Sequence, residues 1–484
     1  MNNNRKGDSA ISSFFWRLAE RIGAKLVNLV VSIVLARILL PEQYGTVALI
    51  NIFITIFQVF VDGGLGAALI QKKDADDIDF SSVFYFNLFT CTFFYILVYA
   101  LSPAIAGFYN DESITPMIRV AAMTILISGL KGVQQAYVSR NMLFRRFFFS
   151  TIGGTIFSAI LGIILAIKGF GAWALVIQQV SNLFVDTLIL WMTVKWRPKL
   201  LFSFIRLKAL LMYGFKLLVT GIIDVLYNNV RSLIIGKYYS ESDLAFFNKA
   251  KQFPDLIVSN VNTSINSVML TVVSREQDDR MRCKELTRKS IQLTTYVLAP
   301  ILVGLAVVSE PLVSFLLTDK WLPCVPYLRI FCFTYFFLPI NTSNLNAMAS
   351  VGEMNAYMKL AFIEKIIGVG SLLMVANKGV WYIAMALVIT TPVVTVINMY
   401  PNRKYINYSI FEEIKDICPN MALACFMGVL VYPIQLLMLP KIVVILLQVM
   451  AGAFVYLLGS IIIKHPMLYY LKEKSVNMIK GKGK

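Results

Sequence analysis

The feature that most constrains this chain is a succession of apolar stretches, each long enough to cross a lipid bilayer. About 30 Å of hydrocarbon needs roughly twenty helical residues, and windows of that length divide the sequence into about fourteen spans. Hydrophobic residues make up 58% of the 484 residues, and charged residues only 15%. Soluble domains carry far more charge, so the sequence predicts an all-α membrane protein.

Basic residues indicate the orientation of these spans. They cluster at the amino terminus and in the second, fourth, sixth, eighth and twelfth connections, as in segments 140–146 and 275–289, whereas the opposite connections carry at most one lysine each. The tenth connection, near Gly352, carries no base. The positive-inside rule therefore predicts that both termini are cytoplasmic. In such loops the net charge of +18 is expected to contact anionic membrane lipids, and no nucleic-acid partner is predicted.

An internal repeat indicates two related halves. Segment 36–45 matches segment 236–245, because in each a small residue and a base close one span before a short acidic turn. At a similar offset, Arg119 matches Arg329 and Gln134 matches Asn344. The sequence therefore predicts two pseudo-symmetric six-helix lobes and an appendage of two extra helices with a basic tail, assigned respectively to residues 1–200, 201–404 and 405–484.

The first span carries a polar stripe in an otherwise apolar helix. Spacings of four, four, three and four place these residues on one face: Arg17, Arg21, Lys25, Asn28 and Ser32. A base near the centre of a membrane helix costs about 2.5–3.5 kcal/mol, so Lys25 needs water or a partner. The three bases predict a pyrophosphate-binding face, although Arg17 also suits a cytoplasmic anchor that reaches the lipid head groups.

The seventh span repeats this pattern, which predicts a central cavity between the two halves. Its stripe consists of Lys216, Thr220, Asp224, Asn228 and Arg231. Amides on other spans would suit sugar hydroxyls if they face the same cavity, and interhelical hydrogen bonding is the alternative explanation. These amides are Gln134, Gln135, Gln178, Gln179, Asn182, Asn341, Asn344 and Asn346.

Carboxylates within the spans are candidates for binding a coupling proton or sodium ion. We single out Asp62, Asp224 and Asp255, with Asp186 and Glu364 as rivals. A helix cap or a salt bridge is the structural alternative for Asp62. The six cysteines form no C-x-x-C pair and there is one histidine, so we expect no metal site, no bound cofactor and no histidine-based catalysis.

Several ordered motifs resemble the Wzx-type polysaccharide flippases, in the polysaccharide transport branch of the multidrug/oligosaccharidyl-lipid/polysaccharide exporter superfamily. The similar segments are ARILLPEQYG at 36–45, VFVDGGL at 59–65, IQKK at 70–73, EPL at 310–312 and KW at 320–321. The resemblance implies two six-helix lobes around a V-shaped cavity and a bacterial cytoplasmic (inner) membrane location. It also implies a basic cavity, and the first helix carries matching bases.

The implied function is flipping of an undecaprenyl-pyrophosphate-linked oligosaccharide to the outer leaflet by alternating access, for lipopolysaccharide, capsule or exopolysaccharide assembly. A multidrug or cation antiporter of the same superfamily is the alternative, although a cationic ligand calls for a cavity rich in carboxylates. A membrane polymerase or ligase would need large outer loops, and the outer connections are short. A scaffold in the polysaccharide polymerase and export machinery is the last alternative, and that machinery is also a candidate partner.

Overall fold

The protein is helical throughout the part that the computed structural model describes, residues 2–62, 64–276 and 279–479. These residues form nineteen α-helices and two 3-10 helices, and no strand occurs among them. A helix satisfies its backbone N–H and C=O groups internally, as hydrocarbon requires. The prediction of an all-α fold is therefore confirmed.

The helices follow one another with short connections. The first ten are α1 (Asn2–Ile38), α2 (Pro41–Asp62), α3 (Leu65–Gln71), α4 (Asp77–Tyr109), α5 (Ile114–Ala121), α6 (Met123–Arg140), α7 (Phe144–Ile167), α8 (Ala172–Thr193), α9 (Phe204–Tyr238) and α10 (Glu241–Arg275). The remainder are α11 (Arg280–Leu317), a 3-10 helix (Asp319–Cys324), α12 (Val325–Phe336), α13 (Leu338–Ser350), α14 (Met354–Val375), α15 (Val380–Met399), α16 (Asn402–Tyr405), α17 (Ile410–Val431), a 3-10 helix (Tyr432–Leu436), α18 (Lys441–Ile462) and α19 (Pro466–Ile479).

Eleven helical segments in the described residues are long and apolar enough to cross a membrane. Helices α1, α10 and α14 coincide with predicted spans but are not among the eleven; α14 contains the charged residues Lys359, Glu364 and Lys365. The multi-pass character is therefore confirmed. The number of about fourteen spans and the cytoplasmic position of the termini stay predictions.

Equivalent contacts in the two halves support the sequence repeat. Arg119 Nε donates a hydrogen bond to Ser102 Oγ at 3.0 Å, and Arg329 Nε donates one to Ser309 Oγ at 3.1 Å. In both cases the serine lies in the preceding long helix, α4 or α11. The same residue types thus make the same bond at repeat-related positions.

The chain divides into two compact units, Met1–Ala245 and Phe246–Lys484. This division falls after α9, whereas the predicted lobe boundary precedes it. Helix α9 belongs to the first unit because its first residues bind the start of α4. Ser203 N donates to Ser82 Oγ at 2.9 Å, and Arg206 forms an ion pair with Asp76 at 2.6 Å. The lobes 1–200 and 201–404 and the segment 405–484 stay a prediction about the repeat.

Candidate functional site

A cavity of about 410 Å³ lies in the first unit between α1, α2 and α8. It is lined by Asn28, Val31, Ser32, Leu35, Tyr44, Leu175, Gln178, Gln179 and Asn182. Four of these side chains are amides and two carry hydroxyl groups, and none of these lining residues is charged. The lining therefore offers both hydrogen-bond donors and acceptors to a neutral polar ligand.

The polar stripe of α1 forms one side of this cavity. Asn28 and Ser32 are one helical turn apart and both line it. Lys25 lies one turn before Asn28 on the same face, and its side chain is exposed. The predicted cavity position of Asn28 thus coincides with an observed cavity, and Lys25 is its nearest base along the stripe.

The amides of α8 are held in place by close packing on α7. A Cβ atom at Gly162 would come within 2.9 Å of Gln178 Cβ, so only glycine permits this approach of the two helices. Asn182 Nδ2 donates to Ser158 Oγ at 3.1 Å. Gln179 makes no hydrogen bond to the residues that the structure describes, which leaves its amide available to a ligand.

The bases of α1 differ in their surroundings. Arg17 Nη1 pairs with Glu20 Oε2 at 3.0 Å, and its guanidinium lies 5.1 Å from the centre of the Phe147 ring. These contacts favour the anchoring alternative for Arg17, since its charge already has partners. The side chain of Arg21 lies outside the described residues, and Lys25 is the base one turn before the cavity-lining Asn28 on α1.

On α9 the predicted stripe is largely accessible. Thr220, Asp224 and Asn228 are exposed, and Arg231 is half-buried with its guanidinium 5.6 Å from the centre of the Tyr227 ring. The side chain of Lys216 lies outside the described residues. None of these residues lines the 410 Å³ cavity, so the structure does not gather the two stripes around this site.

Gln134 and Asn344 do not line an open cavity in this structure, because both are fully buried. Gln134 Nε2 donates to the carbonyl oxygen of Trp196 at 3.2 Å, and Asn344 Oδ1 accepts from Asn402 Nδ2 at 2.6 Å. Each amide thus bonds to the connection that follows the sixth or the twelfth predicted span. Their observed contacts are hydrogen bonds within the protein, which agrees with the structural alternative for these amides rather than with a ligand.

The candidate ion-coupling acids have different individual surroundings. Asp224 and Asp255 are exposed, Asp255 is hydrogen-bonded to Tyr335, and the side chain of Asp62 lies outside the described residues. A buried ion pair that the sequence analysis missed joins Lys131 Nζ to Asp186 Oδ2 at 2.5 Å, between α6 and α8. The sequence does carry a signal for this pair, because Lys131 and Asp186 are opposite charges in two otherwise apolar spans.

A larger cavity, about 580 Å³, lies in the second unit among α11, α17 and α18. Its lining is almost entirely aliphatic, and Gln448 is its one buried amide. Such a lining fits a hydrocarbon chain and offers little to sugar hydroxyls. The smaller cavity in the first unit is therefore the better polar site.

A family model and individual relatives both match this chain to proteins of polysaccharide biosynthesis. A family model described as "Polysaccharide biosynthesis protein" matches residues 34–326, more than half of the chain. The chain is 28% identical to the teichuronic acid biosynthesis protein TuaB of Bacillus subtilis (strain 168), over 57% of its own length and 58% of that relative. It is 23% identical to the succinoglycan biosynthesis transport protein ExoT of Rhizobium meliloti (strain 1021), over 75% of the chain and 74% of that relative.

Solved structures share the fold. The lipid II flippase MurJ, in an inward closed conformation, aligns with a TM-score of 0.74 and 16% identity over 94% of this chain and 98% of its own. A multidrug resistance MATE family transporter of the MOP superfamily aligns with a TM-score of 0.63 and 15% identity over 81% and 98%. At such identities the likeness establishes the fold alone, and lipid flippases and drug exporters both adopt it.

The predicted resemblance is confirmed by these matches. The apolar helices and the bacterial relatives place the chain in the bacterial inner membrane as a multi-pass protein. With the family model covering residues 34–326, the chain belongs to the polysaccharide biosynthesis protein family of membrane proteins.

Proposed function

We propose that this protein is a transporter that flips a prenyl-pyrophosphate-linked oligosaccharide from the inner to the outer leaflet, for assembly of a cell-surface polysaccharide. Family membership and the MurJ-like fold support transport of a lipid-linked glycan. Alternating access between the membrane faces is the mechanism that the two-lobed repeat favours.

The observation that carries the proposal is the uncharged polar cavity beside Lys25. Sugar hydroxyls both donate and accept hydrogen bonds, and side-chain amides such as Gln179 and Asn28 offer both functions in one group. A pyrophosphate is a multiply charged anion, and Lys25, with Arg21 one turn earlier on the same helix, supplies opposite charge. The glycan would occupy the cavity while the pyrophosphate contacts the bases.

The prenyl chain needs no polar site. It would stay in the lipid while the head group passes through the protein, because burying a long hydrocarbon in a polar path is unfavourable. Anionic lipids would contact the basic loops, and polysaccharide polymerases are candidate downstream partners. Transport of a substrate prepared elsewhere requires no catalytic residue, so we propose no enzymatic activity.

The antiporter alternative predicts a different lining. A cationic drug or ion would be stabilised by carboxylates in the cavity, yet none of the described residues lining the 410 Å³ cavity is acidic. Because the fold is shared with a MATE transporter, the lining rather than the fold favours the glycan.

The test uses purified protein in liposomes and a short prenyl-pyrophosphate-linked sugar, whose translocation is measured by access of an impermeant reagent. Replacing Arg21 and Lys25 together with alanine should abolish translocation, whereas Arg17→Ala, which removes a base already paired with Glu20, should retain most of it. An equal loss of translocation in both variants, or normal translocation by the double variant, would refute the proposed pyrophosphate site.

A second variant tests the sugar cavity. Gln179→Leu keeps the approximate size of the side chain but removes its donor and acceptor, and we expect at least a tenfold loss of translocation, or about 1.4 kcal/mol. Asn355→Leu replaces an exposed amide of α14 and serves as the matched control. If the protein transports a cationic dye but not the lipid-linked sugar, the result would favour the antiporter.

A further inference from the structure

Three fully buried polar side chains meet at the start of α17 in the second unit. Glu413 belongs to α17, Asn344 to α13 and Asn402 to α16. Asn344 Nδ2 donates to Glu413 Oε1 at 2.6 Å, and Asn402 Nδ2 donates to Asn344 Oδ1 at 2.6 Å. Two amides thus form a chain that ends on one carboxyl group.

Two oxygens of this cluster have no hydrogen-bond partner among the described residues. They are Glu413 Oε2 and Asn402 Oδ1, both buried. An ionised carboxylate and an amide carbonyl are both acceptors, so these atoms cannot satisfy one another. A proton on Glu413 turns Oε2 from an acceptor into a donor and removes the buried negative charge.

The basic residues nearest in sequence and packing are already paired. Arg288 of α11 makes two contacts with Asp416, at 2.6 and 2.7 Å, and Lys284 lies 2.9 Å from Glu412. Within the described part of the chain, no ion pair reaches Glu413. A buried carboxylate without a cation is costly, and the negative charge of nearby Asp416 adds to that cost.

No other nearby group that the structure describes supplies a buried positive charge to Glu413. Asn398 of α15 and Ser343 of α13 are neutral, and the Tyr408 hydroxyl donates to Asp416 Oδ2 at 2.8 Å. The exposed basic residues nearby are Arg403, Lys404 and Lys415. Because these side chains are exposed, water screens their charge from the buried carboxyl.

We propose that Glu413 is a proton-binding site of this protein, positioned by Asn344 and Asn402, and that its proton is exchanged during transport. Release of the proton would leave a buried negative charge next to Asp416, so the start of α17 must move to hydrate it. Protonation and the position of α17 are then linked equilibria. The site itself does not depend on the proposed function, whereas the coupling role rests on it.

Infrared spectroscopy of the full-length protein in lipid tests the site directly, because a protonated carboxyl has its own carbonyl stretching band. We expect wild type and Glu412→Gln, the matched change at the neighbouring acid, to show this band at neutral pH, and Glu413→Gln to lose it. Retention of the whole band in Glu413→Gln, or its absence from wild type across the neutral range, would overturn the proton site.

Translocation driven by a pH gradient tests the coupling. Glutamine mimics the protonated acid in shape and hydrogen bonding, so Glu413→Gln should fold, keep gradient-independent translocation of the prenyl-pyrophosphate-linked sugar and lose its stimulation by the gradient. Unchanged stimulation in Glu413→Gln would refute the coupling. If wild type moves no lipid-linked sugar at all, the proposed function fails while the infrared result still decides the proton site.

Discussion

Gly45 lies where the two repeat-related turns touch, and replacing it with alanine should separate them. The turn between α1 and α2 packs on the turn between α9 and α10: Thr46 Oγ1 donates to Glu241 Oε2 at 2.5 Å, and Ser242 Oγ lies 3.3 Å from Glu42 Oε1. A Cβ atom at Gly45 would lie only 2.0 Å from the carbonyl oxygen of Glu241.

The size of the effect follows from that distance. Real Cβ contacts are not shorter than 3.0 Å, and the Glu241 atoms that the Cβ would meet belong to the backbone and cannot rotate aside. The turns must therefore move apart by about 1 Å or more. Overpacking of this kind costs about 1–3 kcal/mol, and alanine returns about 0.5–1 kcal/mol of helix propensity. A net cost of about 1 kcal/mol shifts the equilibrium away from the packed turns by about fivefold.

Pulsed electron resonance between two spin labels measures this separation. Leu40 and Tyr238 are exposed beside the turns, and only Cys418 and Cys425 among the cysteines are exposed, so these two are first replaced with serine. In Gly45→Ala we expect a longer-distance population that is small or missing in wild type.

Gly107→Ala is the control, because a Cβ there meets no atom within 4 Å. It should leave the label distances unchanged. A Gly45→Ala distribution identical to that of wild type would refute the claim that the close approach of the turns requires glycine.

Three further predictions concern stability and are read from unfolding curves. Lys131→Met should cost about 3–5 kcal/mol because it leaves Asp186 buried without its cation, and adding Asp186→Asn should recover most of that loss; a double variant no more stable than the single one would contradict this. Asp76→Asn keeps the helix cap but not the charge. The arginine partner on α9 lowers the pKa of Asp76 from 3.8 to about 2, so wild type should exceed this variant in stability above pH 3.8 and lose the advantage as the pH falls towards 2; a difference independent of pH would argue against the ion pair. Arg119→Lys and Arg329→Lys should lower Tm by similar amounts, since each loses the same bond to a serine, and loss in only one would count against the repeat.

Much of the fold follows from local sequence pattern. Length and apolar composition determine which segments can cross hydrocarbon, and the repeat located the paired turns that begin α2 at Pro41 and α10 at Glu241. The helical period also put Asn28 on the face that lines the polar cavity. These features depend on residues close together in the chain, so one sequence is enough to predict them.

The partners of buried polar groups could not be predicted in this way. Glu413 and Asn344 are 69 residues apart, with two predicted spans between them, and which face of each helix meets the other is decided by packing. Gln134 was assigned to a cavity because an amide on an apolar helix has two explanations, a ligand or another helix, and periodicity does not separate them. The Lys131–Asp186 pair was missed for the same reason.

The contact of Gly162 with Gln178 has a consequence for how glycan preference could diverge in this family. Because Gly162 lets α7 and α8 pack closely, the α8 amides of the proposed glycan-binding cavity are positioned by a helical hairpin rather than by adaptable loops. Side chains at positions 178, 179 and 182 can then vary while Gly162 preserves the close packing of α7 on α8. If the cavity binds the glycan as proposed, exchange of this hairpin between relatives should change the sugar preference, while the residues of α1 and α2 that complete the cavity stay as they were.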